Sequence, residues 1–340
     1  MMSYIFWNPE LTAIQLGPLG IRWYSLCWII GLLAAYFYVR RIFSDEKIPY
    51  EKFEPLYLYC FIGILIGARL GHCVFYQPEY FLASAKGWFE MFIPVKLFGA
   101  GVADSLSSGQ WKFIGYEGLA SHGGTLGLML ALLLYSRKMK LPLLFLIDAI
   151  AIATPVTACF IRLGNLMNSE IIGKPTTLPW AFVFERVDNI PRHPGQLYEA
   201  IAYCILALIM FAIYKRTSKG KKAEKVRTDF RNITGNKARN DFKASHDNKA
   251  VSGNKTLNDS TRDTKNEEKN QMSFCNRYIG TGFYFGLCLL FIFTARFFIE
   301  LTKENQVDFE SAMTINMGQL LSLPFVVLGA VCMWRGYKKK

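Results

Sequence analysis

The sequence contains few of the residues that build metal sites or disulfide frameworks. It has only 4 histidines, with no HExxH pattern, and its 8 cysteines include no CxxC pair. A zinc site is therefore not expected. Most of the cysteines lie inside apolar runs, where a thiol behaves as a small buried hydrophobic group. We expect no metal and no cofactor.

Acidic residues are also scarce, since 26 Asp and Glu stand against 39 Lys and Arg, for a formal net charge of +13. Most of the excess lies in residues 215–277, which carry 17 basic and 8 acidic side chains. This tract has too few apolar residues to bury a core and is predicted to be a disordered cytoplasmic insert. Its basic residues are mixed with acids and almost lack aromatics, so nucleic acid is not expected as a partner.

Long apolar runs dominate the rest of the chain, which is 52% hydrophobic. Each run approaches the ~20 residues that a helix needs to cross a bilayer. The runs predict an all-α polytopic membrane protein with about seven transmembrane helices. The predicted spans are residues 21–39, 55–75, 119–135, 141–161, 196–214, 278–298 and 315–334.

Basic clusters follow every odd-numbered span, and this pattern predicts the orientation. The N-terminus is expected outside and the C-terminus in the cytoplasm. Three regions follow. Residues 1–214 hold spans one to five, with an outer-face insertion near 82–117. Residues 215–277 form the insert, and residues 278–340 hold spans six and seven with a basic tail. The loops 162–195 and 301–314 then face outward, which places a candidate site towards the outer leaflet.

Arg162 lies just past the fourth span, close in sequence to Asn165, Asn168 and Glu170. An Arg at the bilayer centre costs about 2.5–3.5 kcal/mol on insertion scales, so it normally has a function or a partner. An arginine at a helix end often extends only to the headgroups. The nearby amides and carboxylate favour another interpretation. They would satisfy part of the guanidinium and leave a planar fork that matches phosphate.

Arg296 and Glu300 are four residues apart, so they share one helix face and are expected to pair. The pair is equally consistent with a structural ion pair inside the membrane. With Arg162 also present, a second cation near the same leaflet favours an anionic ligand. In that interpretation Glu300 orients Arg296 rather than neutralising it.

His122 opens the segment HGGTLG at the start of the third span. A single histidine at this position is commonly an interfacial hydrogen-bonding residue. An imidazole pKa of about 6.5 also suits proton transfer near neutral pH. Gly123 and Gly124 allow either another helix or a lipid to approach closely.

Four further polar or aromatic residues are expected to be structural. His193 is predicted to anchor a loop, and Trp180 to lie at the membrane interface. Arg69 and Asp148 are predicted to form buried structural pairs.

Seven segments of the chain resemble the prolipoprotein diacylglyceryl transferase family, and they occur in that family's order. The run R-x-G-N-x-x-N-x-E-x-x-G is the most specific, and SHGGTLG is moderately specific. One departure is the lead-in YEGLAS before the HGG motif, which differs from the family's usual sequence. The segments are RWYSLCWIIGLLAAY (22–36), GARLGHCVFYQPEYF (67–81), SHGGTLG (121–127), RLGNLMNSEIIGKPTTLPW (162–180), RHPGQLYEA (192–200), RFFIE (296–300) and MGQLLSLP (317–324).

The resemblance implies an enzyme of the bacterial cytoplasmic (inner) membrane that needs no cofactor. Its substrates would be phosphatidylglycerol and the signal peptide of a prolipoprotein. A diacylglyceryl group would pass to the lipobox cysteine thiol, forming a thioether and releasing glycerol phosphate. The resemblance implies catalytic roles for His122, Arg162 and Arg296. It implies substrate binding by Tyr24, Gly123, Gly124, Asn165, Glu170 and Glu300.

Two other classes of function remain open on the residues alone. A transporter of an anionic solute would use the same buried arginines, although no internal repeat is evident. A non-catalytic scaffold would use the polar cluster only for stability.

Overall fold

The computed structural model describes residues 4–17, 19–113, 118, 120–218, 274–304 and 315–339. Within these ranges the chain forms ten α-helices and short β-strands. The helices are α1 Trp23–Asp45, α2 Tyr50–Phe75, α3 Pro78–Phe81, α4 Ala85–Phe92, α5 Val102–Ser107, α6 Ser121–Met139, α7 Leu143–Asn168, α8 Gly195–Ser218, α9 Phe283–Ile299 and α10 Met317–Lys338. The strands are β1 Ile5–Trp7, β2 Thr12–Leu16, β3 Leu19–Arg22, β4 Val95–Leu97, β5 Trp111–Phe113, β6 Phe182–Phe184 and β7 Pro191–Arg192.

Six of these helices are long and apolar enough to cross a membrane, namely α1, α2, α7, α8, α10 and α9 with the 3-10 turn Glu300–Thr302 that follows it. They coincide with the predicted spans one, two, four, five, six and seven. The prediction of a helical, polytopic membrane protein is confirmed. The helices extend beyond the predicted ends where the chain stays helical after its apolar run. For example, α1 continues through Arg40 and Arg41 to Asp45.

The remaining predicted span, residues 119–135, coincides with α6, a helix of 19 residues. It is not among the six helices that meet the length and hydropathy expected of a span. The reason lies in its composition, because His122 and three glycines begin it and Arg137 and Lys138 end it.

Three small sheets were not predicted. Strand β1 pairs in parallel with β6, which pairs antiparallel with β7. Strands β2 and β3 form a hairpin, and β4 pairs with β5 inside the predicted insertion 82–117. Residues 89–102 complete α4, form β4 and begin α5.

The described chain divides into two compact units. The first comprises Met1–Tyr38 with Ala151–Lys340, and the second comprises Val39–Ile150. In the second unit, α2 and α6 cross closely where glycines of each helix meet the other's backbone, so that a Cβ at Gly71 would lie only 2.8 Å from Gly123 Cα. In the first unit, α9 and α10 meet in the same way at Gly286 and Gly329.

Several predicted segments fall outside the described residues. They include nearly all of the insert 215–277, of which the structure describes 215–218 and 274–277. Residues 114–117 of the outer-face insertion and residues 305–314 of the last loop also lie outside.

Candidate substrate site

Arg162 lies near the end of α7, and the neighbouring helix α8 supplies its partners. Its Nε atom is 2.9 Å from Oε2 of Glu199, a carboxylate whose side chain is fully buried. Tyr203, one turn further along α8, lies beside the same guanidinium. A buried carboxylate requires a cation, since an isolated charge out of water is strongly unfavourable. Arg162 therefore has a fixed position on the side that faces α8.

Lys303, directly after the 3-10 turn, provides a second cation for Glu199. Its Nζ atom lies 3.0 Å from Oε1 of Glu199 and 3.2 Å from Oε2 of Glu300. The lysine side chain is only 3% exposed. One ammonium therefore joins two buried carboxylates from different helices.

Arg296 completes the arrangement from the last turn of α9. Its Nε atom is 3.9 Å from Oε2 of Glu300, and its side chain is 40% exposed. The predicted pairing of Arg296 with Glu300 is thus present, although Lys303 is the closer partner of this carboxylate. We call the connected set the ion-pair chain, and its members in order are Arg162, Glu199, Lys303, Glu300 and Arg296.

The ion-pair chain carries one excess positive charge, because three cations share two carboxylates. Its interior members, Glu199, Lys303 and Glu300, are buried, whereas the two arginines at its ends keep 18% and 40% exposure. A fully compensated network would have no charge left for a ligand. This network keeps net positive charge and presents it through guanidinium groups, which bind phosphate oxygens in pairs.

The loop between α7 and α8 holds the ion-pair chain in place by backbone pairing. The Lys174 amide donates to the Thr302 carbonyl at 2.8 Å, and the Gly173 amide donates to the His193 carbonyl at 3.0 Å. No side chain fits at Gly173, where a Cβ would lie 2.7 Å from the Thr302 oxygen. The glycine therefore allows the loop to lie directly against the turn that carries Lys303.

Asn165, Asn168 and Glu170 form a separate cluster at the end of α7. The amide groups of Asn165 and Asn168 donate to the two oxygens of Glu170 at 2.9 and 3.0 Å. The prediction that these residues would satisfy Arg162 is wrong, because the ion pair of Arg162 runs to Glu199 instead. The cluster sits in a tight turn in which Ser169 and Ile171 both have positive φ, 56° and 57°. Such conformations cost of order 1–3 kcal/mol each and concentrate at functional sites.

Three buried polar atoms around this turn have no hydrogen-bond partner among the described residues. They are Oδ1 of Asn168, Oγ of Ser169 and Oε1 of Gln196. Gln196 is completely buried, and its amide donates to the Glu170 carbonyl. An unpaired buried polar atom costs about 1–3 kcal/mol. The turn therefore offers unused hydrogen-bonding capacity beside Glu170.

Tyr24 lies in the first turn of α1 and packs against α7. A Cβ at Gly164 would lie 2.9 Å from Cδ2 of Tyr24, so the missing side chain makes room for the ring. The ring therefore contacts α7 at Gly164, which lies between Arg162 and Asn165 in the sequence.

His122 belongs to the second unit, where it lies exposed in the first turn of α6. Gly123 and Gly124 are buried, and α2 fills the space above them, with Gly71 Cα 2.8 Å from a Cβ placed on Gly123. Gly124 is likewise covered, since its Cβ would lie 3.5 Å from that of Ala68. For these glycines the structure favours helix packing over the predicted substrate binding.

A second ionic cluster, formed by Arg192, Asp188 and Glu304, holds the later part of the same loop. Arg192 is buried and binds Asp188 through Nη2 at 2.5 Å and Glu304 through Nη1 at 2.5 Å. The hydrogen bond from Arg192 holds the pKa of Asp188 below its ordinary value. His193 anchors the loop, as predicted: its Nδ1 lies 3.2 Å from the Tyr198 hydroxyl, and burial lowers its pKa.

Comparison with known proteins identifies the family of this chain. A family model described as prolipoprotein diacylglyceryl transferase matches residues 11–230 and 271–335. The chain belongs to this family. The unmatched residues 231–270 lie inside the predicted insert.

Relatives cover essentially the whole chain. The phosphatidylglycerol–prolipoprotein diacylglyceryl transferase of Bacteroides fragilis is 48% identical over 340 residues, covering 100% of this chain and 98% of the relative. The proteins with the same name from Tolumonas auensis and Chloroherpeton thalassium are 35% and 31% identical, each over 99% of this chain and 99% and 96% of their own. Together with the six long apolar helices, these relatives make this member of the prolipoprotein diacylglyceryl transferase family a multi-pass bacterial membrane protein.

Sequence reasoning missed three members of the site in this transferase-family chain. Glu199 carried a usable signal, because a carboxylate inside an apolar span requires a cation. Tyr203 resembled any interfacial tyrosine. Lys303 stands in a polar stretch after its span, where a lysine is ordinarily solvated, so nothing in the sequence indicated its burial.

Proposed function

We propose that this chain transfers the diacylglyceryl group of phosphatidylglycerol to the lipobox cysteine thiol of a prolipoprotein. The bond between the glyceryl carbon and the phosphate oxygen breaks, a thioether forms, and glycerol phosphate leaves. One observation supports the proposal most strongly. The ion-pair chain ends in two partly exposed arginines and keeps one excess positive charge, which matches a phosphodiester of one negative charge.

The arginines act on the group that leaves. As the carbon–oxygen bond breaks, negative charge accumulates on the phosphate. Arg162 and Arg296 stabilise this charge with donors that Glu199 and Glu300 already hold in position. One well-aimed donor typically contributes about 2.7–4 kcal/mol to the transition state.

The thiol must lose its proton before the thioether is complete. A free cysteine has a pKa of about 8.5, so near neutral pH only a small fraction is thiolate. We assign this proton to His122, whose exposed imidazole makes no hydrogen bond within the described part of the chain. A His122→Ala variant separates this role from positioning. Loss of a base is repaired as the pH rises through the thiol pKa, whereas loss of a positioning group persists at every pH.

The headgroup hydroxyls bind at the turn after α7. Asn165 and Glu170 fix the turn, and Tyr24 packs against Gly164 shortly before it. The exposed carboxylate of Glu170 accepts hydrogen bonds from these hydroxyl groups, and the unpartnered oxygens of Asn168, Ser169 and Gln196 are buried next to this turn.

The predicted orientation completes the proposal. With the N-terminus outside and the C-terminus in the cytoplasm, the helix ends that carry the ion-pair chain face the outer leaflet, where a translocated signal peptide meets them. The insert 215–277 then lies in the cytoplasm. Single-cysteine labelling from each side of the membrane, at residues 188 and 338, tests this arrangement.

Mass spectrometry of a lipobox peptide tests the reaction itself. The purified protein is incubated with the peptide and phosphatidylglycerol, and a peptide with serine in place of the cysteine is the control. We expect a mass gain of one diacylglyceryl unit on the cysteine peptide alone. An unmodified peptide, together with anion flux through liposomes that hold the protein, would support a transporter instead.

A further inference from the structure

Lys303 is the one member of the ion-pair chain to which the proposed reaction gives no task. It is 3% exposed, so it has no free face for the lipid phosphate. Both carboxylates that it contacts, Glu199 and Glu300, are also contacted by an arginine. Lys303 therefore connects the carboxylate partner of Arg162 to the carboxylate partner of Arg296.

The charge balance shows what the ammonium does. Without it, two arginines would face two carboxylates, and the net charge of the network would fall from +1 to zero. Each guanidinium would then serve mainly to neutralise a buried carboxylate, since an uncompensated buried charge is strongly destabilising. With Lys303 in place, the carboxylates are shared, and the guanidinium groups retain positive charge for a ligand.

The backbone fixes the ammonium from two sides. Gly173 forms an isolated bridge with Lys303, next to the hydrogen bond from Lys174 to Thr302. On the other side, Gly195 begins α8 so close that a Cβ there would lie 3.5 Å from Cγ of Lys303. The end of α9, the start of α8 and the loop after α7 thus converge on one lysine stem.

We propose that Lys303 is a positioning residue for the lipid phosphate. By binding Glu199 and Glu300 together, it sets the separation of Arg162 and Arg296 and leaves them with a net positive charge. Lys303 does not touch the lipid itself. This inference rests on the proposed function, because it presumes that the two arginines bind a phosphodiester.

Steady-state kinetics of three variants tests the inference. Lys303→Met keeps the stem and removes the charge, and we expect it to raise KM for phosphatidylglycerol roughly 10-fold or more, with a smaller effect on kcat. Lys303→Arg should recover most of the lost affinity. The double variant Lys303→Met/Glu300→Gln restores the net charge of +1 but removes the carboxylate that orients Arg296. Its KM should therefore fall below that of Lys303→Met without reaching the value of the unaltered protein. A merely structural lysine would show no such recovery.

Two results would overturn the inference. One is an unchanged KM in Lys303→Met, and the other is a double variant that keeps its thermal midpoint but shows no recovery of KM. Should Lys303→Met not fold, Lys303→Arg still decides, because it keeps the charge that joins Glu199 and Glu300 and is expected to keep a low KM. Failure of the proposed function looks different, since the unaltered protein would then leave the lipobox peptide unmodified.

Discussion

Two arginine sites of this molecule differ in what holds the guanidinium. Arg69, in α2, donates from Nε to the Met91 carbonyl at 3.2 Å and from Nη2 to the Glu90 carbonyl at 2.8 Å. Its guanidinium carbon also lies 4.9 Å from the centre of the Phe81 ring. Arg162 and Arg296 are held by carboxylates and stay partly exposed. The first arginine attaches α4 to α2, whereas the other two keep capacity for a ligand.

This difference separates an arginine that serves packing from the two arginines that are proposed to bind a ligand. A backbone carbonyl in a packed segment does not titrate and does not turn away. Guanidinium donors that bind such carbonyls therefore stabilise the fold. A carboxylate that also binds a second cation orients a guanidinium without fully neutralising its positive charge. The same substitution, arginine to lysine, should therefore lower stability at Arg69 and activity at Arg162.

The largest effect is expected for Arg162→Lys. The charge that compensates Glu199 remains, but the planar fork that binds phosphate oxygens in pairs is lost. We expect kcat/KM for transfer to a lipobox peptide to fall by about 10²–10³-fold, as on removal of one transition-state donor. The thermal midpoint should change little. A kcat/KM close to that of the unaltered protein would remove Arg162 from the phosphate site.

Arg296→Lys should give a smaller loss of kcat/KM, roughly 10-fold. Arg296 is 40% exposed and lies 3.9 Å from Glu300, so it is held less firmly than Arg162, and more exposed charges interact more weakly. The same peptide assay measures it. Equal losses of kcat/KM at the two arginines would show that the tighter ion pair and lower exposure of Arg162 have no consequence for the reaction.

Arg69→Lys is the matched control in the second unit. Lysine cannot reach both carbonyls in the same geometry, and a lost buried hydrogen bond costs about 1–3 kcal/mol. We expect a lower thermal midpoint in detergent and a nearly unchanged kcat/KM at temperatures well below it. A selective loss of activity with normal stability would erase the distinction between the two sites.

The sequence predicted the parts of this molecule that depend on local composition. Six spans follow from apolar runs of sufficient length, and Arg162 and Arg296 were identified because charges are rare in such runs. The partners of these arginines depend on contacts between helices distant in sequence. For that reason Glu199 and Lys303 were missed, and Glu170 was wrongly assigned to Arg162. Strands of three residues, such as β1 and β6, are too short for any periodicity to show.

The smallest effect is expected at the second ionic cluster, in which Arg192 binds Asp188 and Glu304. The hydrogen bond from Arg192 depresses the pKa of Asp188. The stabilisation is therefore fully present above the ordinary aspartate value of about 4, and it is lost as the pH falls through the lower folded value. Thermal midpoints measured from pH 7 down to pH 3 should decline less steeply in Asp188→Asn than in the unaltered protein. Parallel curves for the two proteins would contradict this assignment.

The direct test of phosphate binding compares two short-chain lipids as competitors of diacylglyceryl transfer from long-chain phosphatidylglycerol. One is phosphatidylglycerol with its charged phosphodiester, and the other is the same lipid as a neutral methyl phosphotriester. If Arg162 and Arg296 bind the phosphate, the unaltered protein should bind the charged lipid roughly 10–100-fold more tightly, as expected for charge-assisted hydrogen bonds. The preference should disappear in the Arg162→Lys/Arg296→Ala variant. Equal affinity of the unaltered protein for both lipids would contradict the phosphate site.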